Sequence, residues 1–125
     1  MLYSLLLNYA EPAEGELDEE VMAAGRAAFD AYAKDLDSAG VFVSANILQP
    51  TVTSTTVSLR TGSLQIQDGP FADTKEKLAG TFVVDVPDLD SALKWAEKCP
   101  AAQWGVVEVR PSALVFTDGA WHQVG

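Results

Sequence analysis

Apolar and polar positions along this chain follow two different periods, and the switches between them mark out the elements. In residues 1–9, Tyr3, Leu5, Leu7 and Tyr9 fall at every second position, as on one face of a strand. Glu11 to Glu16, with Pro12 and Gly15, predicts a polar loop. Asp18 is then placed as a helix N-cap, with Glu19 and Glu20 suited to the positive end of the helix dipole. Val21, Gly25, Ala28, Phe29, Tyr32, Leu36 and Ala39 recur at steps of three and four, giving one apolar stripe that Gly40 closes. Val41 to Leu48 reads as a second strand, ending at Gln49-Pro50.

Thr51–Arg60 and Leu64–Asp68 predict a hairpin around Thr61-Gly62-Ser63, with Val57 and Leu59 opposite Leu64 and Ile66. Thr81–Val86 is a strand with Phe82, Val84 and Val86 on one face and Thr81, Val83 and Asp85 on the other. Pro87 stops it. Asp88 caps a second helix carrying Leu89, Ala92, Leu93 and Ala96, which ends at Cys99-Pro100. Val106–Arg110 is a last core strand, with Val107 and Val109 on one face, Val106, Glu108 and Arg110 on the other, and Pro111 as its stop. A further hairpin pattern surrounds Asp118-Gly119 in the tail. The order strand, helix, strand, hairpin, strand, helix, strand matches an α+β, ferredoxin-like domain with both helices on one face of an antiparallel sheet. Two helices leave the other face uncovered, where Val83 and Val106 mix with Asp85, Glu108 and Arg110. A second copy of the sheet is the simplest cover, so a homodimer is expected. The apolar tail residues Leu114, Val115, Phe116 and Trp121 are expected to pack on the sheet or reach across to that partner.

Composition narrows the function classes. The 125 residues suffice for one domain with a real core. A net charge of −10 gives no basic footprint for nucleic acid or for an anionic membrane surface. The single Cys99 excludes an intrachain disulfide, and the lone His122 has no companion metal ligand. No glycine-rich phosphate loop appears, so no cofactor is implied. The apolar start has no basic segment ahead of it and no later run approaches transmembrane length, which sets the expectation of a cytoplasmic protein.

Candidate chemistry concentrates in Asp68-Gly69-Pro70-Phe71-Ala72-Asp73-Thr74-Lys75-Glu76. Pro70 fixes its own φ and pushes Gly69 out of the helical region, so the chain turns here. Phe71 is expected to pin that turn to the core, gathering Asp68, Asp73, Thr74, Lys75 and Glu76 around the bend. The plainer reading is an anchored surface loop with solvated charges. On the uncovered sheet face, Arg110 either belongs to a network with Asp85 and Glu108 that fixes dimer register or binds an anionic group. A site would then lie where the Asp68–Glu76 loop meets the Asp85/Arg110 face, with Asp68, Lys75, Glu76, Asp85 and Arg110 as ligand-binding candidates. Its ligand would be a small anion, gripped by the guanidinium through two parallel hydrogen bonds. Cys99 faces the negative end of its helix, which disfavours a thiolate. Trp95 and Trp104, like Tyr3, Tyr9 and Tyr32, are expected to serve packing.

Taken together, several motifs resemble the YCII-related domain family, in the branch named for its Asp-Gly-Pro-Phe motif. The matching residues are Gln49-Pro50, Thr55-Thr56-Val57, Asp68-Gly69-Pro70-Phe71, Thr74-Lys75-Glu76, Gly80, Asp85-Val86-Pro87-Asp88-Leu89, Trp95-Ala96, Cys99-Pro100 and Glu108-Val109-Arg110-Pro111. The resemblance implies a domain over residues 1–111, a 112–125 extension, and a ferredoxin-like fold paired into a dimeric α/β barrel. It also implies a regulatory setting, since such proteins often neighbour extracytoplasmic-function sigma factors. Better-studied relatives carry a His and an Asp proposed as an acid/base pair, the Asp preceding a Pro after the second helix. Here Pro100 follows Cys99, and His122 lies in the tail, so that pair is not carried over. Three readings stand: a small-ligand-binding or regulatory module, an acid/base enzyme acting on a small polar metabolite, and a structural interaction protein.

Overall fold

Strand alternation in the first nine residues sets the sidedness of the whole molecule in the computed structural model, which describes residues 1–13, 16 and 18–124. The elements run β1 (Leu2–Tyr9), α1 (Glu19–Ser38), β2 (Phe42–Ile47), β3 (Thr55–Ser58), β4 (Gln65–Asp68), β5 (Lys77–Asp85), α2 (Leu89–Lys98), α3 (Ala101–Trp104), β6 (Gly105–Pro111), β7 (Leu114–Thr117) and β8 (Ala120–Gln123). β1 buries Tyr3, Leu5 and Leu7 and leaves Leu2, Ser4 and Leu6 half-exposed. It lies between β5 and β6, both antiparallel to it, in a four-stranded sheet of order β2-β5-β1-β6. The fold is therefore α+β with an antiparallel central sheet that does not close into a barrel within one chain.

Both long helices cover the same face. Tyr32 and Leu36 of α1, with Ala92 and Ala96 of α2, join Leu5, Leu7, Phe82 and Val84 in one core. Each large apolar side chain removed from water there contributes roughly 1.5–3 kcal/mol. The Tyr32 hydroxyl donates to the Trp95 carbonyl at 2.6 Å, tying α1 to α2, and burial pushes its phenol pKa up. Trp104 stands edge-on to Phe29 and Tyr9, with centroid distances of 5.5 and 5.7 Å, so the tryptophan packs as expected.

The caps follow the sequence reading. Asp18 accepts from the Val21 N–H at 2.8 Å and Asp88 from the Ser91 N–H at 2.9 Å, each satisfying an orphan donor of the first turn. Three features differ from expectation. β5 begins at Lys77, four residues before Thr81, because Lys77 and Leu78 find partners in Tyr9 and Asn8 of β1. α3 adds a short helix after Pro100, whose fixed φ suits a helix start. Thr51–Thr53 forms a 3₁₀ turn, not a strand, with the Thr53 hydroxyl and N–H both donating to the Pro50 carbonyl at 2.7 and 3.0 Å.

Two hairpins stand apart from the main sheet. β3–β4 pairs only with itself, Val57 opposite Ile66, and forms an arm. At the arm's base, Glu11 accepts from both the N–H and the hydroxyl of Thr51, at 2.7 and 2.8 Å. β7–β8 turns at Asp118 and Gly119, with φ of 53° and 79°, a pairing suited to a two-residue hairpin turn. No described helix is long and apolar enough to cross a membrane.

Candidate functional site

Strand direction decides which candidate residues meet. β5 runs from Lys77, paired with Tyr9, to Asp85, paired with Leu2. At about 3.3 Å per residue, those two ends lie roughly 26 Å apart. The Asp68–Glu76 turn feeds the Lys77 end, whereas Asp85 and Arg110 belong to the Leu2 end, Arg110 pairing with Ser4. Within one chain, then, Asp68, Lys75 and Glu76 do not converge with Asp85 and Arg110.

The turn is also not pinned as expected. Phe71 is 76% exposed, with the Arg60 guanidinium 5.7 Å from its ring centre. That cation–π contact replaces an anchor in the core. What orders the turn is polar: Gly69 N–H donates to the Ser54 carbonyl at 2.8 Å, and the Thr74 hydroxyl to the Glu76 carbonyl at 2.5 Å. The organised ion pair is Asp73 with Lys77 at 2.6 Å, and Lys77 is largely buried. That hydrogen bond holds the Asp73 carboxyl below its ordinary value. Asp68, Lys75 and Glu76 are exposed.

The charged face splits in the same way. Arg110 pairs with Glu108, two residues along its own strand, and its side chain is 68% exposed. An exposed pair of this kind contributes under about 1 kcal/mol. Asp85 instead takes the terminal ammonium of Met1 at 3.0 Å. The Arg110 guanidinium is thus engaged by Glu108 on an exposed surface.

The structure offers a different assembly. Because Pro111 pairs with Tyr3, the chain leaves β6 beside the start of β1, and the tail hairpin rises next to Leu2 and Asp85. Period-two alternation gives this hairpin two faces. Leu114, Phe116 and Trp121 point outward and stay exposed, Phe116 and Trp121 with ring centroids 5.3 Å apart, so these tail residues do not pack on their own sheet. Val115, Thr117 and His122 face inward, where they line a cleft of about 570 Å³ with Asp85, Asp118 and Leu2. The His122 Nε2 lies 3.3 Å from the Thr117 carbonyl. One imidazole and two carboxylates thus border one space. Sequence reasoning set His122 aside as solitary. The signal that brings it in is the β1–β6 register, which places whatever follows Pro111 beside Asp85.

A second cleft, about 450 Å³, lies between α1 and β2, bordered by Arg26, Asp30, Asn46 and the core ring of Phe82. Cys99 takes no part in either. It is buried, and burial pushes its thiol pKa up, although the N–H groups of Ala101 and Ala102 oppose that shift. Among the described residues, no group of three or more His, Cys, Asp or Glu side chains is placed to hold a metal ion.

An uncharacterized protein of Rhizobium meliloti (strain 1021) is 42% identical over 69 residues, a match covering 54% of this chain and 56% of that relative. The chain thus spans little more than half the length of this relative. The YCII-related domain matches residues 1–113, from the first strand through β6, and the chain belongs to that family.

Proposed function

We propose that this chain is a cytoplasmic small-molecule-binding module of the Asp-Gly-Pro-Phe branch, ferredoxin-like in fold and paired with a second copy into an α/β barrel. The observation that carries the binding reading is the cleft shared by Asp85, Asp118 and His122. Its ligand is small, polar and either neutral or cationic. The chain carries −10 overall, so the field around it repels anions, and Asp118 adds to that beside the Asp85–Met1 pair at the cleft. A regulatory role, as the sigma-factor setting of the resemblance suggests, needs nothing beyond such a site. An acid/base enzyme is the second reading, favoured by an imidazole that lines the same cleft as Asp85 and Asp118.

Thermal-shift screening of small amines, amino alcohols and polyols, with carboxylates and phosphates as the opposing set, tests this reading. The expected result is stabilisation by a neutral or cationic compound, weakened at least tenfold in Kd by Asp85→Asn or His122→Ala and unchanged by Lys75→Ala. Stabilisation only by anions, lost with Arg110→Ala, would instead restore the guanidinium as the ligand-binding group and sink the cleft.

A further inference from the structure

We infer that the β3–β4 arm is an interaction surface whose occupant is a second copy of this chain. The arm carries Val52, Val57, Leu59, Leu64, Ile66 and Phe71, each 61–84% exposed. None of them belongs to the core, and neither arm strand joins the main sheet. An isolated two-stranded hairpin is marginal in water, so an arm of this kind calls for a covering surface.

Charge depletion points the same way. Residues 51–71 hold two charged side chains, Arg60 and Asp68, in a chain that is 21% charged. A solvated hairpin has no reason to shed charge, whereas the centre of an interface does. The sparsely charged arm would find its match on the least charged end of another copy's open sheet face. The sheet face away from the helices presents Asn8, Leu78 and Val106 toward the Tyr9 end, Leu6, Thr81 and Glu108 at its middle, and Asp85 and Arg110 toward the Leu2 end.

Area decides between a stray contact and a stable pair. The chain exposes 8659 Å², where a compact monomer of 13.3 kDa exposes about 6,450 Å². The excess, roughly 2,200 Å², matches what one partner buries in an obligate dimer, about 1,000–2,500 Å². A two-fold arrangement makes the exchange reciprocal, each arm lying on the other copy, and closes the assembly at two.

This inference is separate from the cleft and assigns the arm a role that the sheet-face pairing alone does not require. Sedimentation equilibrium of the full chain tests it, comparing wild type with the cross-strand double variant Val57→Asp/Ile66→Asp and the milder Val57→Thr/Ile66→Thr. Wild type is expected at twice 13.3 kDa. The Asp variant should weaken association at least a hundredfold and the Thr variant at least tenfold, both with unchanged helical circular dichroism. The Thr variant keeps strand-forming side chains, so it guards against loss of the hairpin itself. A monomeric wild type overturns the inference and the sheet-face pairing together. A dimer of unchanged affinity in both variants overturns the arm alone and leaves the sheet-face pairing in place.

Discussion

Gly105 is where a single missing atom permits the fold. A Cβ built there would lie 2.1 Å from the Asn8 carbonyl oxygen and 2.8 Å from the Tyr9 Cβ. The obstructing oxygen is backbone in the central strand, so the neighbour has no rotamer to retreat into. Gly105→Ala is expected to cost about 3 kcal/mol, the upper part of the overpacking range, read as a lowered denaturant midpoint. At the same scale, the side-chain roles that depend on local sequence were readable in advance: Asp18 and Asp88 as caps, and Tyr3, Leu5 and Leu7 as the buried side of β1. Phe71 was not, because an aromatic beside Gly69-Pro70 is equally compatible with a core anchor and with an exposed platform for Arg60. Asp85 was placed on the open sheet face from alternation alone. Its companion His122 needed the pairing of strands far apart in the chain.

Among the elements, α2 allows a sharp test of capping. The Ser91 N–H holds the Asp88 carboxyl below its ordinary value of 3.8. A carboxyl depressed in the folded state stabilises it above the unfolded pKa, and that stabilisation drains away as pH falls through the folded pKa. The charge on the cap therefore contributes fully above about pH 4 and is lost below it. Asp88→Asn keeps an oxygen acceptor but has no proton to gain, so its melting temperature should fall less than wild type between pH 6 and pH 3. Asp88→Ala removes the acceptor and should melt below both at pH 6. If all three lines run parallel between those pH values, the carboxylate is not what holds the first turn. Element identities came through from periodicity and caps, whereas boundaries depended on context. Lys77–Gly80 is extended because β1 offers partners to Lys77, Leu78 and Gly80 and β2 joins at Gly80, and nothing local to those four residues announces it.

For the molecule as a whole, charge and apolar area pull in opposite directions. In the proposed pair two copies of −10 repel, while the sparsely charged arm and the open sheet face would attract at contact. Salt shortens the Debye length from about 30 Å at 0.01 M to about 10 Å at 0.1 M and screens the repulsion without weakening the apolar contact. Association of the full chain is therefore expected to tighten several-fold between 0.01 M and 0.3 M sodium chloride. Sedimentation at the two salt concentrations measures it. Weakening with salt would mean that ion pairs such as Arg110–Glu108 rearrange across the interface and dominate it. The uncovered face was readable from two helices and a count of strands. The separation of Asp68 from Asp85 was not, since it follows from the direction in which β5 runs.

The strand that comes first in this sequence occupies the middle of the sheet. Tyr3 pairs on one side with Val84 and on the other with Pro111, so β1 gains its first neighbour only with residues 77–85 and its second only with residues 105–111. Its run of leucines must stay unpaired while α1 and the arm emerge, and closing those long loops is the slow step. Refolding is accordingly expected over milliseconds to seconds instead of the microseconds typical of helical bundles. During that interval the exposed leucines are what a chaperone would hold, and a nascent chain stalled before β5 is the species most prone to aggregate.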